Sequence, residues 1–247
     1  MKRLILMGLA VFTLAGCVDR DVMGVNDEVA VLDETPEFHI ARGAGHIKVM
    51  SQNLYFGAPV EPIIAAPDPI SAAIAVAEAW EVMVRTDFPT RAQALAAEIA
   101  DAAPHLIGLQ EVAIYRTEEI FDPAQEATEV FQDFLEILLE ELENRDASYD
   151  VAVELTTTDV EFPKYEGMMP DGMTPILSGV RLTDRDVILV REDVDWQNPL
   201  AALYSNWFGP NAPNPIPIPV DVLRGWGAVT ATVDGKDFRF VNTHLES

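Results

Sequence analysis

The chain has 247 residues, 41 acidic against 16 basic, a formal net charge of −25 and a single cysteine. So acidic a chain repels polyanions and disfavours tight binding to duplex DNA, which depends on Lys and Arg neutralising phosphates; one cysteine excludes an intrachain disulfide. With 49% apolar residues and a mean hydropathy of +0.11 it can bury a sizeable core. The same acidity is read equally well as a solvated, salt-adapted surface, so small phosphate esters, phospholipid headgroups and short oligonucleotides stay open as ligands.

At the N-terminus, Lys2 and Arg3 precede an apolar run from Leu4 to Ala15, too short to span a bilayer, and small residues lead into Cys17. This is the layout of a secretory signal. The string Leu14-Ala15-Gly16-Cys17 resembles the bacterial lipobox, in which the cysteine is lipidated and becomes the new N-terminus. Residues 1–17 are therefore expected to be a lipoprotein signal with Cys17 as the lipidation site; an ordinary signal ending near a cysteine is the other reading. Val18, not Asp, follows the cysteine, which by the same resemblance favours the outer membrane where the host has one. Residues 18–45 are acidic, lack long periodicity and contain Pro36, so they are expected to form a tether, with the folded domain over 46–247.

From His46 the alternating run HIKVMSQNLYFG predicts a strand ending in the turn at Gly57. Pro59, Pro62, Pro67 and Pro69 are expected to forbid regular structure as far as Ser71. Helical spacing of Ala72, Ala75, Val76, Ala79, Trp80 and Met83 follows, and a second helix is expected from about Thr90 to Ala103, ended by Pro104. HLIGLQEV then reads as a buried strand with Gln110 and Glu111 at its exit. A helix capped by Asp122 and started by Pro123 is expected to run to about Asn144, its acidic side, Glu129 and Asp133 to Glu143, being a solvated face. Tyr149 to Leu155 predicts a strand, Phe162 to Gly179 a loop, and Arg185 to Arg191 another buried strand. The proline-rich stretch 209–220 is expected to be an extended surface loop, and Asp234-Gly235 between two alternating runs predicts a β-hairpin. Strands alternating with helices make this an α/β chain.

Three strings stand at strand ends: SQNLY around Asn53, LIGLQEV with Gln110 and Glu111, and VNTHLE with Asn242, Thr243 and His244. In this order, with the strand RDVILVR between them, they resemble the endonuclease/exonuclease/phosphatase (DNase I-like) superfamily over about Ile47 to the C-terminus. The resemblance implies a four-layer α/β sandwich of two mixed sheets flanked by helices. It also implies metal-dependent phosphoester hydrolysis with Mg²⁺, or else Mn²⁺ or Ca²⁺. Glu111 would hold the metal, since hard cations take oxygen ligands. Asn53 would bind the metal shell or orient a catalytic carboxylate, and His244 would donate to a phosphate oxygen or help in proton transfer. Arg185 and Asn242 are expected substrate contacts, and Asp186 either ligates or pairs with Arg185. Tyr115 and Trp226 are expected to pack, and His39, His46 and His105 match nothing in the pattern.

The family's later strings, Gly-Asp-x-Asn and Ser-Asp-His, do not occur in residues 1–247. In the relatives they position the attacking water and supply the general base, and groups that act as a unit contribute non-additively. The expectation is thus a C-terminally truncated, partial domain with its last strands missing, inactive as it stands. A non-catalytic surface lipoprotein using the same scaffold for binding is the alternative function.

Overall fold

The computed structural model describes residues 46–207, 209, 211 and 221–245. The signal segment with Cys17, the tether to residue 45, His39 and most of the proline-rich stretch lie outside the described residues.

Two strands with the predicted apolar character pair in parallel at the start of the fold. β1 (Val49–Asn53) lies beside β2 (Leu106–Gln110) in register, Val49 opposite Leu106 and Asn53 opposite Gln110. Both therefore end at the same edge, and the chain between them supplies three helices. The first, α1 (Glu61–Ile64), was not expected: Pro62 sits in its opening turn, where the missing N–H has no intrahelical partner to lose. By the same logic Pro69 starts α2 (Pro69–Thr86), whose N-cap Asp68 accepts from the backbone N–H of Ile70 and Ser71. Asp87, at φ +47°, ends α2 and turns the chain into α3 (Phe88–Ala102).

Beyond β2 the structure departs from the helical reading of 122–144. β3 (Ile114–Glu118) and β4 (Glu129–Asp133) form an antiparallel pair, and α4 is confined to Phe134–Glu143. Helical spacing of Phe131 with Phe134 is also met by a strand running straight into a helix, and the two patterns differ only in pairing partners. Asp133, assigned from sequence to a solvated face, is the N-cap of α4, accepting from Leu135 N at 2.9 Å. The predicted loop at 162–179 is instead the tip of a long hairpin, β5 (Tyr149–Met168) with β6 (Pro175–Arg191), antiparallel throughout. Three register shifts along β5 absorb extra residues, one of them next to Gly167, and Pro163 is tolerated because β5 pairs with β6 on one side only.

β6 is the spine of the first sheet. One edge pairs with β5, while the other is shared by β3 (at Gly179 to Thr183) and β2 (at Val187 to Val190). The second sheet is β7 (Asp195–Leu203), β8 (Gly225–Val233) and β9 (Lys236–Thr243), all antiparallel, with the expected hairpin at Asp234 (φ +50°) and Gly235 (φ +72°).

Alternation along β2 and β6 sends residues to two cores. Ile107, Leu109, Val187 and Leu189 pack under the helices with Val76, Met83, Ala92, Ile99 and Leu138. Leu106, Ile188 and Val190 face Val229, Ala231 and Val233 of the second sheet. The described layers are therefore helices, mixed sheet and antiparallel sheet, an α/β sandwich with two sheets packed face to face. The rings of Phe88 and Phe134 stack in parallel at 3.7 Å and join α3 to α4.

Candidate active site

Glu111 follows the last residue of β2 and holds a left-handed backbone, φ +55°, with its carbonyl accepting from Ala113 N at 2.9 Å. A non-glycine residue in that region is strained, and such strain concentrates at functional positions. The turn separates the Gln-Glu pair. Gln110 points between the sheets, where its amide nitrogen donates to Asn242 Oδ1 at 2.6 Å. Glu111 is directed at the end of β1 instead: Asn53 Nδ2 donates to its Oε1 at 2.8 Å, and Phe56 N donates to its Oε2 at 2.9 Å. Asn53 Oδ1 in turn accepts from Tyr55 N at 2.7 Å, which fixes the amide.

The third member arrives from the other sheet. His244, just past β9, brings Nε2 to 3.9 Å from Glu111 Oε1, and its Nδ1 is buried with no hydrogen-bond partner among the described residues. Asn53, Glu111 and His244 thus meet at one end of the sandwich, where β1, β2 and β9 all finish. Grouping side chains at strand carboxyl ends is the usual way an α/β fold builds a site.

Two expected substrate contacts lie elsewhere. Arg185 is 4% exposed and already engaged: Nε donates to the Val112 carbonyl at 2.9 Å, Nη2 pairs with Asp133 at 2.5 Å and Nη1 with Glu154 at 3.1 Å. It cross-links β6 to the start of α4, and leaving those carboxylates for a phosphate would strand buried charge. Asn242 is likewise buried, with Nδ2 donating to the carbonyls of Leu109 and Val187 at 2.9 and 3.2 Å. Its role is to join the sheets. Of the remaining residues, Tyr115 packs as expected, with its hydroxyl donating to the Phe56 carbonyl at 3.0 Å. His105 is structural, its Nδ1 accepting from Lys48 N at 2.9 Å.

The structure also places two acids that the motifs did not emphasise. Asp184 and Asp186 lie two residues apart on β6 and are 1% and 2% exposed. Asp184 Oδ2 accepts from Thr157 Oγ1 at 2.9 Å and lies 3.5 Å from Arg224 Nη1. Neither oxygen of Asp186 has a hydrogen-bond partner among the described residues. Burial, and then the Asp184 charge, push the Asp186 carboxyl up to about 7 from 3.8, against a lowering by Arg224. Burial likewise raises Asp184, opposed by Thr157, Arg224 and His244. Asp186 does not pair with Arg185, because consecutive strand residues point to opposite faces. The available signal was an i, i+2 acid pair inside a strand whose remaining residues are apolar.

Among the described residues no three His, Cys, Asp or Glu side chains form a group that could hold a metal ion. The donor set at Glu111 is a single carboxylate with a neighbouring amide. That suits Mg²⁺, which is held by one or two carboxylates and keeps waters and substrate phosphate as its other ligands.

No protein-family model matches the sequence, and no curated protein matches it. Among solved structures, an endonuclease/exonuclease/phosphatase family protein from Leptotrichia buccalis C-1013-b is similar at 14% identity and a TM-score of 0.39, over 64% of this chain and 47% of that one. TDP2 from C. elegans is similar at 16% identity and a TM-score of 0.35, over 81% of this chain and 36% of that one. A truncated Caenorhabditis elegans TDP2 gives 16% identity and a TM-score of 0.32, over 66% and 42%. The chain spans less than half the length of each of these structures. The described residues of this chain form two packed sheets with flanking helices, an α/β sandwich.

Proposed function

We propose that this chain belongs to a metal-dependent phosphoester hydrolase of the endonuclease/exonuclease/phosphatase superfamily, held at the cell envelope by lipid on Cys17. The observation that supports this reading is the meeting of Asn53, Glu111 and His244 from three strand ends, with Glu111 held on both oxygens. Glu111 would hold Mg²⁺, with Mn²⁺ or Ca²⁺ as substitutes. A divalent cation bound there neutralises charge on phosphoryl and leaving oxygens. Asn53 keeps the carboxylate aimed by donating to Oε1, and the Phe56 N–H fixes the second oxygen. His244 would donate to a phosphate oxygen or carry a proton, a step for which histidine is suited near neutral pH.

The first test is a Mn²⁺ titration followed by electron paramagnetic resonance. A saturable site is expected, lost in Glu111→Ala. The protein is then assayed for Mg²⁺-dependent hydrolysis of bis(p-nitrophenyl) phosphate, which Glu111→Ala is expected to abolish. Phosphoester binding with no hydrolysis under any divalent cation would replace the enzyme with a non-catalytic surface binder.

A further inference from the structure

A cavity of about 460 Å³ opens between α1, α2 and the β5–β6 hairpin, lined by Phe56, Ile63, Val76, Trp80, Phe162 and Leu182 among others. Its volume lies within the roughly 300–1,000 Å³ of small-molecule sites. The walls are almost wholly apolar, and the polar groups are Glu61, Thr158, Asp184 and Arg224 together with the Tyr115 hydroxyl. Two links join it to Glu111. Phe56 lines the cavity, and its backbone N–H donates to Glu111 Oε2 at 2.9 Å. Tyr115 also lines it, and its hydroxyl donates to the Phe56 carbonyl at 3.0 Å. The cavity is therefore continuous with the segment that fixes the candidate metal carboxylate.

From this continuity we infer that the cavity receives the alkyl chain of an amphiphilic phosphomonoester or phosphodiester whose phosphate sits at Glu111. The inference rests on the phosphoesterase reading and narrows its substrate class. Charge points the same way: a chain of net charge −25 gains nothing from a polyanionic substrate, and a single phosphate attached to an apolar chain brings little repulsion and much burial. The walls are chiefly branched aliphatic and aromatic, and of the polar groups Tyr115 is bonded to the Phe56 carbonyl and Asp184 to Thr157 and Arg224, so the polar edges of a nucleobase or sugar would go largely unpaired on entry.

The test is calorimetric titration with octyl phosphate and methyl phosphate, both in Mg²⁺ and below the micellar concentration. Octyl phosphate is expected to bind at least a hundred-fold more tightly, since each buried methylene is worth roughly fourfold in affinity. Ala79→Trp and Ile63→Trp, which fill the cavity from α2 and α1, are expected to cut that preference at least ten-fold. Glu111→Ala is expected to weaken both ligands together and leave the preference intact. In the unaltered protein, the methyl resonance of Met83, another wall residue, is expected to shift with octyl phosphate and stay in place with methyl phosphate. Equal affinities for the two ligands, an unmoved Met83 methyl, or an undiminished preference in filled variants that melt as the parent does would overturn the proposal. Glu111-dependent hydrolysis of bis(p-nitrophenyl) phosphate without chain-length preference would sink the cavity assignment alone. Chain-length preference with neither Mn²⁺ binding nor hydrolysis would sink the phosphoesterase reading and keep the cavity.

Discussion

Asn53 touches Glu111 through one hydrogen bond of 2.8 Å, which together with the one from Phe56 N fixes the carboxylate that would hold the proposed cation. Partners that orient a metal ligand typically matter by ten- to a hundred-fold in affinity. Asn53→Ala is accordingly expected to weaken Mn²⁺ binding by roughly ten-fold or more with little change in melting temperature, because Asn53 is exposed at the sheet edge. Asp186 gives a prediction of a different kind. Its folded-state pKa, about 7, lies above its ordinary 3.8, so the unfolded chain ionises first as pH rises. The folded state then binds more protons than the unfolded one, and stability falls between about pH 4 and pH 7 before levelling off. Asp186→Asn removes that loss. Its melting temperature is expected to gain on the parent's by roughly several degrees between pH 4.5 and pH 8, read by thermal denaturation. A gap independent of pH would show that Asp186 ionises in the folded protein as it does in water.

Helix α4 and strand β6 are tied by Arg185, whose guanidinium serves Asp133, Glu154 and the Val112 carbonyl. Removing one partner of a buried ion pair leaves the other charge uncompensated, at a cost of about 3–5 kcal/mol. Arg185→Ala is expected to lower unfolding stability by about 3 kcal/mol in urea denaturation, towards the low end because Glu154 is partly solvated. Metal binding at Glu111 should survive in whatever fraction stays folded, which separates this structural role from a phosphate contact. The sequence could not distinguish the two, since a strand arginine beside a motif has no mark showing which face it takes. The same blindness produced the misplaced helix at 122–144: Asp122 and Pro123 make a turn, while the cap that starts α4 is Asp133, eleven positions on. Both acids are good cap residues.

At the scale of the whole molecule, the two sheets approach closely at Gly108. A Cβ built there would stand 2.5 Å from Asn242 Oδ1, and that oxygen is held by Gln110 while the amide nitrogen bonds two carbonyls of the first sheet. The asparagine has nowhere to retreat. Gly108→Ala is expected to destabilise the protein by about 1–3 kcal/mol through overpacking. In the double variant with Asn242→Ala the two costs should be less than additive, because the clash disappears with the side chain. Strict additivity in a denaturation cycle would mean that the sheets separate at Gly108 independently of Asn242. Since β9 carries Asn242 and leads directly into His244, loosening this contact is also expected to weaken the approach of His244 to Glu111.

The sequence by itself determined the α/β class, the two opening strands with helices between them, the α2 and α3 helices, the Asp234-Gly235 hairpin and the placing of Asn53, Glu111 and His244 at strand ends. These are local matters, set by apolar spacing, cap and turn chemistry, and residues placed at strand ends. Only the tertiary structure decided which of the neighbouring polar residues face that site. In the adjacent pair Gln110-Glu111, and between Asn242 and His244, one residue goes to an inter-sheet contact and the other to the site end, while Arg185 and Asp186 take opposite faces of β6. The choice depends on the φ +55° turn at Glu111 and on the alternation of faces along β6. The apolar cavity belongs to the same category, because its walls come from α1, α2 and a hairpin more than seventy residues further along the chain, brought together only when the strand pairing is complete.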